Sequence, residues 1–379
     1  MTASGSHERA EAVIDLTAVR DNLRAVMSTL PGVQSMAVVK ADAYGHGAVP
    51  VARAAREAGA NWLGVALPEE ALALRDAGDT GPILAWLLVP GDPGIPAAID
   101  RDVDLGTGAS WALDEMAAAA RRVGRRARVH LKVDTGLGRG GSPPHEWPDL
   151  FAQAQALSDA IDVVGIWSHL ACADEPSHPH NDVQLAAFHQ ALEMAASLGV
   201  QPQIRHLASS GAALSRPDMA FDLVRLGIIT YGVTPGPQIG PPWPQGLPIR
   251  AAMSVRARIA TVKRVPAGHG VSYGLTWTAP TETSLALLPL GYADGLPRTT
   301  RGAQVQIAGR RYPIVGRIAM DQCVVDIGNA PIEAGAEAMV FGAGESGEPT
   351  AEDWAAWDDT IGYEIVTRMG ARLPRRYTG

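Results

Sequence analysis

Eight short apolar runs alternate with alanine-rich stretches of helical spacing between Met36 and Val224, and this alternation constrains the fold more than any other feature. The runs fall at Met36–Val39, Trp62–Ala66, Ile83–Leu87, Val103–Leu105, Ala127–Val133, Ile161–Trp167, Gln203–Leu207 and Phe221–Val224. Helical periodicity is clearest over Val51–Ala58, Glu69–Asp76, Trp111–Val123 and Val183–Leu198. Near the start, Asp15 or Thr17 is placed to cap a helix carrying Leu16, Val19, Leu23 and Val26 on one face. Continuous apolar runs suit strands buried on both faces, and parallel strands need a crossover helix between them. Eight such units predict a (β/α)8 TIM-type barrel, the eighth strand closing on the first. An open doubly wound sheet is the alternative, and the number of units argues against it.

The segment TPGPQIGPPWPQGLP interrupts this texture with proline and glycine. Beyond it, alternating or β-branched runs at Met253–Val262, Ser284–Leu288, Gln304–Ala308, Tyr312–Val315 and Cys323–Ile327 predict a mostly antiparallel β domain. The expected division is a barrel over residues 1–240 and a β domain over residues 241–379. At 379 residues and 46 % hydrophobic content the chain can fill two cores. Its net charge of −8 argues against a nucleic-acid or anionic-membrane partner. Two cysteines, Cys172 and Cys323, are too few for a disulfide framework and suit a reducing compartment. The polar opening MTASGSHERA lacks the apolar core of a signal peptide, and no later run is long enough to span a bilayer. The expectation is a cytoplasmic protein.

Only three of the 32 basic residues are lysines: Lys40, Lys132 and Lys263. A chain that uses arginine wherever a generic positive charge will do, yet ends its first barrel strand with Lys40, has a use for a primary amine. Burial lowers the pKa of such an amine, which can then attack a carbonyl to form a Schiff base. Working residues in a barrel cluster at the C-terminal ends of strands. That rule gathers Lys40 and Tyr44 after the first strand, Lys132, Asp134 and Arg139 around the fifth, and His169 after the sixth. Ser209 and Ser210 follow the seventh, and Arg225, Gly227 and Ile228 the eighth. The last two loops are where this fold commonly holds phosphate through hydroxyls and backbone N–H groups. An amine and a phosphate pocket in one barrel mouth suggest pyridoxal 5'-phosphate. Arg225 facing the pyridine nitrogen would keep it unprotonated and weaken the ring as an electron sink, which suits moving a proton.

The stretches AVVKADAYGHG, HLKVDTGLGRGG, WSHLACADEP, RHLASSGAAL with FDLVRLGIITYGV, HGVSYG, LGYADGLPR, GRIAMDQ and IGYEIVTR occur in this order. From about Ile14 to Arg376 the chain thereby resembles the bacterial alanine racemases, fold-type III pyridoxal-phosphate enzymes that interconvert L- and D-alanine and supply D-alanine for peptidoglycan. The resemblance implies a homodimer with shared active sites. Lys40 resembles the Schiff-base lysine and the base on one substrate face, and Tyr273 the second base, offered by the partner subunit to the other face. It makes Tyr44, Ser210, Gly227, Ile228 and Tyr363 phosphate ligands, His169 a stacking partner of the ring and Arg225 the partner of its nitrogen. Arg139 resembles the contact to the cofactor oxygen and substrate carboxylate, while Tyr292, Met320 and Asp321 resemble the partner's share of the substrate pocket. Lys132 matches a position that in many members carries a carbamate. Ser209 departs from the pattern, which more often has asparagine there.

Other readings compete at single motifs. GLGRGG matches GxGxxG, but it follows the fifth strand and runs straight into Pro143 and Pro144. Asp134-Thr135-Gly136 resembles an aspartic-protease triplet, and that chemistry needs two copies where the chain has one. His178, His180 and His189 could suggest a metal, but no cysteine or glutamate stands in register with them, so no metal is expected. A barrel decarboxylase of basic amino acids, a racemase of another small amino acid such as serine, and a non-catalytic pyridoxal-phosphate carrier are the rivals at the level of function. The decarboxylases place an acidic residue at the pyridine nitrogen, and a carrier has no second domain.

Overall fold

The computed structural model describes residues 8–379; the opening Met1 to His7, part of the polar stretch read as lacking a signal peptide, lies outside them. The strands are β1 (Ala10–Asp15), β2 (Gln34–Val38), β3 (Trp62–Val65), β4 (Ile83–Ala85), β5 (Val103–Thr107), β6 (Ala127–Lys132), β7 (Ile161–Trp167), β8 (Ile204–His206) and β9 (Leu223–Leu226). They continue as β10 (Met253–Arg258), β11 (Thr261–Val265), β12 (Gly270–Val271), β13 (Trp277–Thr278), β14 (Thr283–Leu288), β15 (Gln304–Ile307), β16 (Arg310–Val315), β17 (Cys323–Gly328), β18 (Glu337–Phe341) and β19 (Arg375–Thr378).

Strands β2 to β8 pair in parallel, each with the next, and β9 pairs with β2 in the register Gln34↔Leu223. Between β8 and β9 the ring closes through a Ser209↔Arg225 bridge, with Arg225 N–H donating to Ala208 O at 3.0 Å. This is the expected (β/α)8 barrel. Strand parity divides its residues. Ala37, Val39, Leu63, Val65, Ile83, Ala85, Val129 and Leu131 point outward into the layer between strands and helices. Met36, Val38, Trp62, Leu84, Val164, Ile204 and Leu223 point inward. The alanine-rich helices let that outer layer pack closely: Ser110–Val123 buries Ala112, Leu113, Met116, Ala117, Ala119 and Ala120. Asp15 caps helix Leu16–Ser28, its Oδ1 accepting the Ala18 N–H at 3.0 Å.

The second domain is a nine-stranded sheet in the order β11-β14-β17-β16-β15-β18-β10-β1-β19, flanked by the β12-β13 hairpin. All its pairs are antiparallel except β1 with β19. The division expected at residue 240 needs one correction, because β1 lies inside this sheet between β10 and the last strand. Ala10, Ala12 and Ile14 face its core, while the buried carboxylate of Glu11 accepts from Arg256 Nε at 2.7 Å and from Arg376 Nε at 3.3 Å. Both chain ends therefore belong to the second domain, and the barrel is inserted between them. Among the described residues, no helix is long and apolar enough to cross a membrane.

Candidate active site

Inward parity carries past the last residue of each strand and decides what reaches the barrel mouth. Val38 faces in, and so does Lys40; Leu84 leads to Trp86, His130 to Lys132, and Leu223 to Arg225 and Gly227. These side chains line a cavity of about 290 Å³, closed further by Tyr44, Arg139, Trp167, His169, Ser209, Ser210, Ile228 and Tyr363. All the barrel residues assigned to the cofactor on sequence grounds converge there, together with Lys132 and with Tyr363 from the second domain.

Lys40 holds one end. Its Nζ lies 5.8 Å from the Tyr44 ring centroid and 6.0 Å from that of Trp86. Burial lowers the amine's pKa, the nearby Arg139 cation adds to the shift, and Glu70 opposes it. Lys132 Nζ sits 4.8 Å over the Trp167 ring, and burial with the Arg225 and Arg139 charges brings its pKa down to about 8. Among the described residues, none of Lys40, Lys132, Arg139 and Arg225 makes a salt bridge to a carboxylate. Four cationic groups around one cavity without a counterion make it a receptor for an anion.

The other end offers neutral donors. Ser210 Oγ accepts the Gly227 N–H at 3.0 Å and lies 3.5 Å from Ile229 N. A Cβ on Gly227 would stand 2.6 Å from the Tyr44 hydroxyl, so only glycine lets this backbone come so close. Burial raises the pKa of Tyr44 and of Tyr363, whose rings are 6.3 Å apart, and both remain phenols able to donate. Hydroxyls and a closely approaching backbone at this end, with an amine at the other, fit a phosphorylated aldehyde such as pyridoxal phosphate.

Arg225 closes the cavity's floor through a buried chain. Its Nη1 donates to His206 O at 3.1 Å and to His206 Nδ1 at 3.2 Å; Nη2 donates to Ser168 O (2.8 Å), Leu207 O (3.0 Å) and His169 Nδ1 (3.1 Å). His206 Nε2 is 2.9 Å from His130 Nδ1, and His130 Nε2 is 3.2 Å from Asp104 Oδ2. The chain permits one arrangement of protons: Arg225 donates to His206, His206 to His130, and His130 to the Asp104 carboxylate. Burial and the Arg225 charge push His169 well below the usual imidazole range; in His206, burial and His130 do the same. Burial also brings Arg225 down to about 9, still above neutrality, so His169 and His206 are neutral beside a charged guanidinium.

Arg139 is presented by the GLGRGG loop. Asp134 takes the backbone N–H groups of Gly136, Leu137 and Gly138 at 2.9, 3.0 and 3.0 Å, and His180 Nε2 meets Gly136 O at 3.0 Å. A carboxylate already fills the nest that a dinucleotide's phosphate would need, which removes the GxGxxG reading. Thr135 of the protease-like triplet bonds Ser168 Oγ at 2.8 Å, a structural contact. His178 Nδ1 accepts from His180 N at 3.2 Å, and His189 packs 5.4 Å from Phe221.

Tyr273, Tyr292, Met320 and Asp321 do not line this cavity. They sit on neighbouring loops of the second domain, Tyr273 68 % and Met320 52 % exposed, with Tyr292 N bonded to Ala319 O and Asp321 paired with Arg372 at 2.7 Å. Sequence reasoning missed the cavity's Trp86 and Trp167 and the Asp104–His130–His206 chain beneath it. Inward parity on β4 to β8 was the signal that could have found them.

The family comparisons agree with this geometry. Residues 14–235 match the model of the alanine racemase N-terminal domain and residues 252–377 that of the C-terminal domain. An alanine racemase of Frankia casuarinae is 54 % identical over 377 residues, covering 99 % of this chain and 97 % of that protein. The crystal structure of alanine racemase from D-cycloserine-producing Streptomyces lavendulae superposes with a TM-score of 0.96 at 54 % identity, covering 99 % and 98 % of the two chains. An alanine racemase of Bacillus anthracis with bound L-Ala-P matches at a TM-score of 0.91 and 33 % identity, over 99 % of this chain and 96 % of that one. With both of its domains matched and the barrel mouth built as described, the chain belongs to the alanine racemase family of isomerases.

Proposed function

We propose that this protein is a cytoplasmic, homodimeric alanine racemase that interconverts L- and D-alanine with pyridoxal 5'-phosphate bound at Lys40, supplying D-alanine for peptidoglycan. The observation that carries the reading is the cavity itself: a half-buried amine at one end, phenols and serine hydroxyls at the other, and four basic side chains that form no salt bridge to a carboxylate among the described residues. Pyridoxal phosphate, when bound, supplies the electron withdrawal that acidifies the substrate Cα–H. Tyr44, Ser209, Ser210, Gly227, Ile228 and Tyr363 would hold its phosphate end, His169 its ring face and Arg225 its ring nitrogen.

The remaining steps belong to the chain. Arg139, fixed by Asp134, orients the substrate carboxylate. Lys40, its pKa lowered by burial, takes or returns the Cα proton on one face. Racemisation needs a second proton donor across the substrate, and a rigid site cannot present Lys40 to both faces. Tyr273 of a second subunit serves there, with Tyr292, Met320 and Asp321 around it; their exposure on the lone chain suits burial against a partner. Lys132 has an amine basic enough to persist and neutral enough at mild alkaline pH to take up carbon dioxide as a carbamate. A carbon-13 carbamate signal in protein equilibrated with labelled bicarbonate, absent in Lys132→Ala, tests that assignment.

Arg225 disfavours the decarboxylase alternative, because a guanidinium at the ring nitrogen limits electron withdrawal. The deciding experiment is Cα proton–deuteron exchange of L-alanine, L-serine, ornithine and lysine in heavy water, followed by chiral analysis and carbon dioxide detection. Exchange with formation of D-alanine supports the proposal. Carbon dioxide release without inversion contradicts it, and faster inversion of serine would reassign the substrate. Purified protein is also expected to show a visible absorption band that Lys40→Ala loses together with at least about a thousandfold of its activity.

A further inference from the structure

Between Lys40 and Gly45 the backbone adopts a form that its residues do not favour. Ala41, Asp42, Ala43 and Tyr44 have φ of 52°, 52°, 54° and 52°, four consecutive non-glycine residues in the left-handed region. There the Cβ crowds the following carbonyl, and such a run persists only where its surroundings over-determine it. Three of the restraints come from the barrel. Glu70 Oε1 accepts the Ala41 N–H at 2.6 Å, Asp42 Oδ1 accepts the Ala48 N–H at 2.7 Å, and His46 Nδ1 lies 3.0 Å from both Ala43 O and Tyr44 O.

The fourth restraint comes from the other domain. Arg375 on β19 donates from Nε and Nη2 to Gly45 O at 3.1 and 3.0 Å. The same guanidinium donates to Gly370 O at 2.5 Å, to Leu373 O at 2.8 Å and to Met369 O. Met369 and Gly370 lie just beyond helix Gly362–Thr367, which carries Tyr363 and whose Val366 O would stand 2.5 Å from a Cβ on Gly45. All its partners here are backbone carbonyls, so Arg375 works as a planar fork joining two pieces of main chain. One piece bears Lys40 and Tyr44; the other bears Tyr363.

We infer that Arg375 is a positioning residue for the cofactor's phosphate site, holding the Tyr44 turn and the Tyr363 helix at the separation that the phosphate requires. The inference rests on the reading of the cavity as a pyridoxal-phosphate site. It also gives the second domain a part in cofactor binding within its own chain, distinct from what it offers a partner.

The test uses full-length apoenzyme of the wild type, Arg375→Ala, Arg375→Gln and Arg375→Lys. Pyridoxal phosphate affinity is read from quenching of tryptophan fluorescence, since Trp86 and Trp167 line the cavity. Amide hydrogen exchange over residues 41–47 and thermal melting are measured alongside. Arg375→Ala is expected to weaken pyridoxal phosphate binding at least about tenfold and Arg375→Gln at least about threefold, with faster exchange over residues 41–47. Arg375→Lys keeps the charge but loses the planar fork, and it is expected to weaken binding at least about threefold as well, again with faster exchange over residues 41–47. Arg375→Gln keeps one planar amide donor and decides the matter if Arg375→Ala does not fold. Wild-type affinity and exchange in a folded Ala or Gln variant overturn the inference, as does weakening that follows the melting temperature with exchange over residues 41–47 unchanged. A wild-type apoenzyme that binds no pyridoxal phosphate removes the cofactor reading, and the inference with it.

Discussion

Lys40 stands apart from the chain's other basic residues because it is a primary amine, at a strand end, with the parity that points it inward. The first two properties were legible in the sequence; the third becomes decisive only once Met36 and Val38 are seen filling the barrel. Tyr44, His169, Ser210 and Arg225 were legible by the same strand-end rule. His130, His206 and Asp104 were not, because a buried imidazole has no local signature and its partners lie 26 and 76 residues from His130. Buried histidines have a consequence for stability. His46 is fully enclosed, and burial lowers its pKa to about 4, while His169 and His206 are also shifted well down. Their folded-state pKa values lie below the unfolded value near 6.5, so the unfolded chain binds more protons between about pH 4 and 6.5 and stability rises with pH across that window. For His46 alone, going from neutral pH to pH 5 is expected to cost about 2 kcal/mol. Urea unfolding of the wild type and His46→Asn at pH 7.5 and pH 5 checks this; an equal pH dependence in both proteins contradicts it.

Among the elements, the strands were legible because continuous apolar runs allow few other homes, although Ile83–Ala85 and Ile204–His206 are shorter than their runs. The helices Gly94–Asp100 and Trp147–Ala156 escaped, since a helix opening with glycine or with proline in its first turn shows too few periodic positions to stand out. Strand β1 escaped for another reason. Its alternation is clear, but Glu11 reads as solvent-facing until Arg256 and Arg376 are brought to it from the far end of the chain. Removing that buried carboxylate takes the counterion from Arg376 and leaves Arg256 with Glu337 alone, at 2.9 Å, and Glu11→Ala is expected to lower stability by about 2 kcal/mol in urea titration. The loop after β6 was legible as a turn but not as a holder for Arg139. Asp134 does that work through three backbone N–H groups. Asp134→Asn replaces an acceptor-only carboxylate with a group that also donates, and it is expected to raise KM for alanine about tenfold, or ~1.4 kcal/mol, with kcat less affected. An unchanged KM would show that Arg139 is oriented by something else.

At the scale of the whole molecule, the barrel is threaded between two ends that pair with each other as β1 and β19. Strand β1 joins β10 to β19 in the second domain's sheet, and a chain lacking residues 1–15 is expected to lose the order of β10 and β19 and to aggregate, as seen by size-exclusion chromatography. In that domain Tyr363 enters its own chain's cavity, while Tyr273 and Met320 remain exposed. The account's central claim is that Lys40 of one chain and Tyr273 of another share one site, and mixing two inactive variants tests it most directly. Lys40→Ala and Tyr273→Phe chains are dissociated, combined in equal amounts and allowed to reassociate. Half of the resulting dimers are mixed, and each mixed dimer holds one intact site, so racemisation is predicted to return to about a quarter of the wild-type rate. Activity no higher than that of the separate variants would contradict the account, because the two residues would then have to act within a single chain or not together.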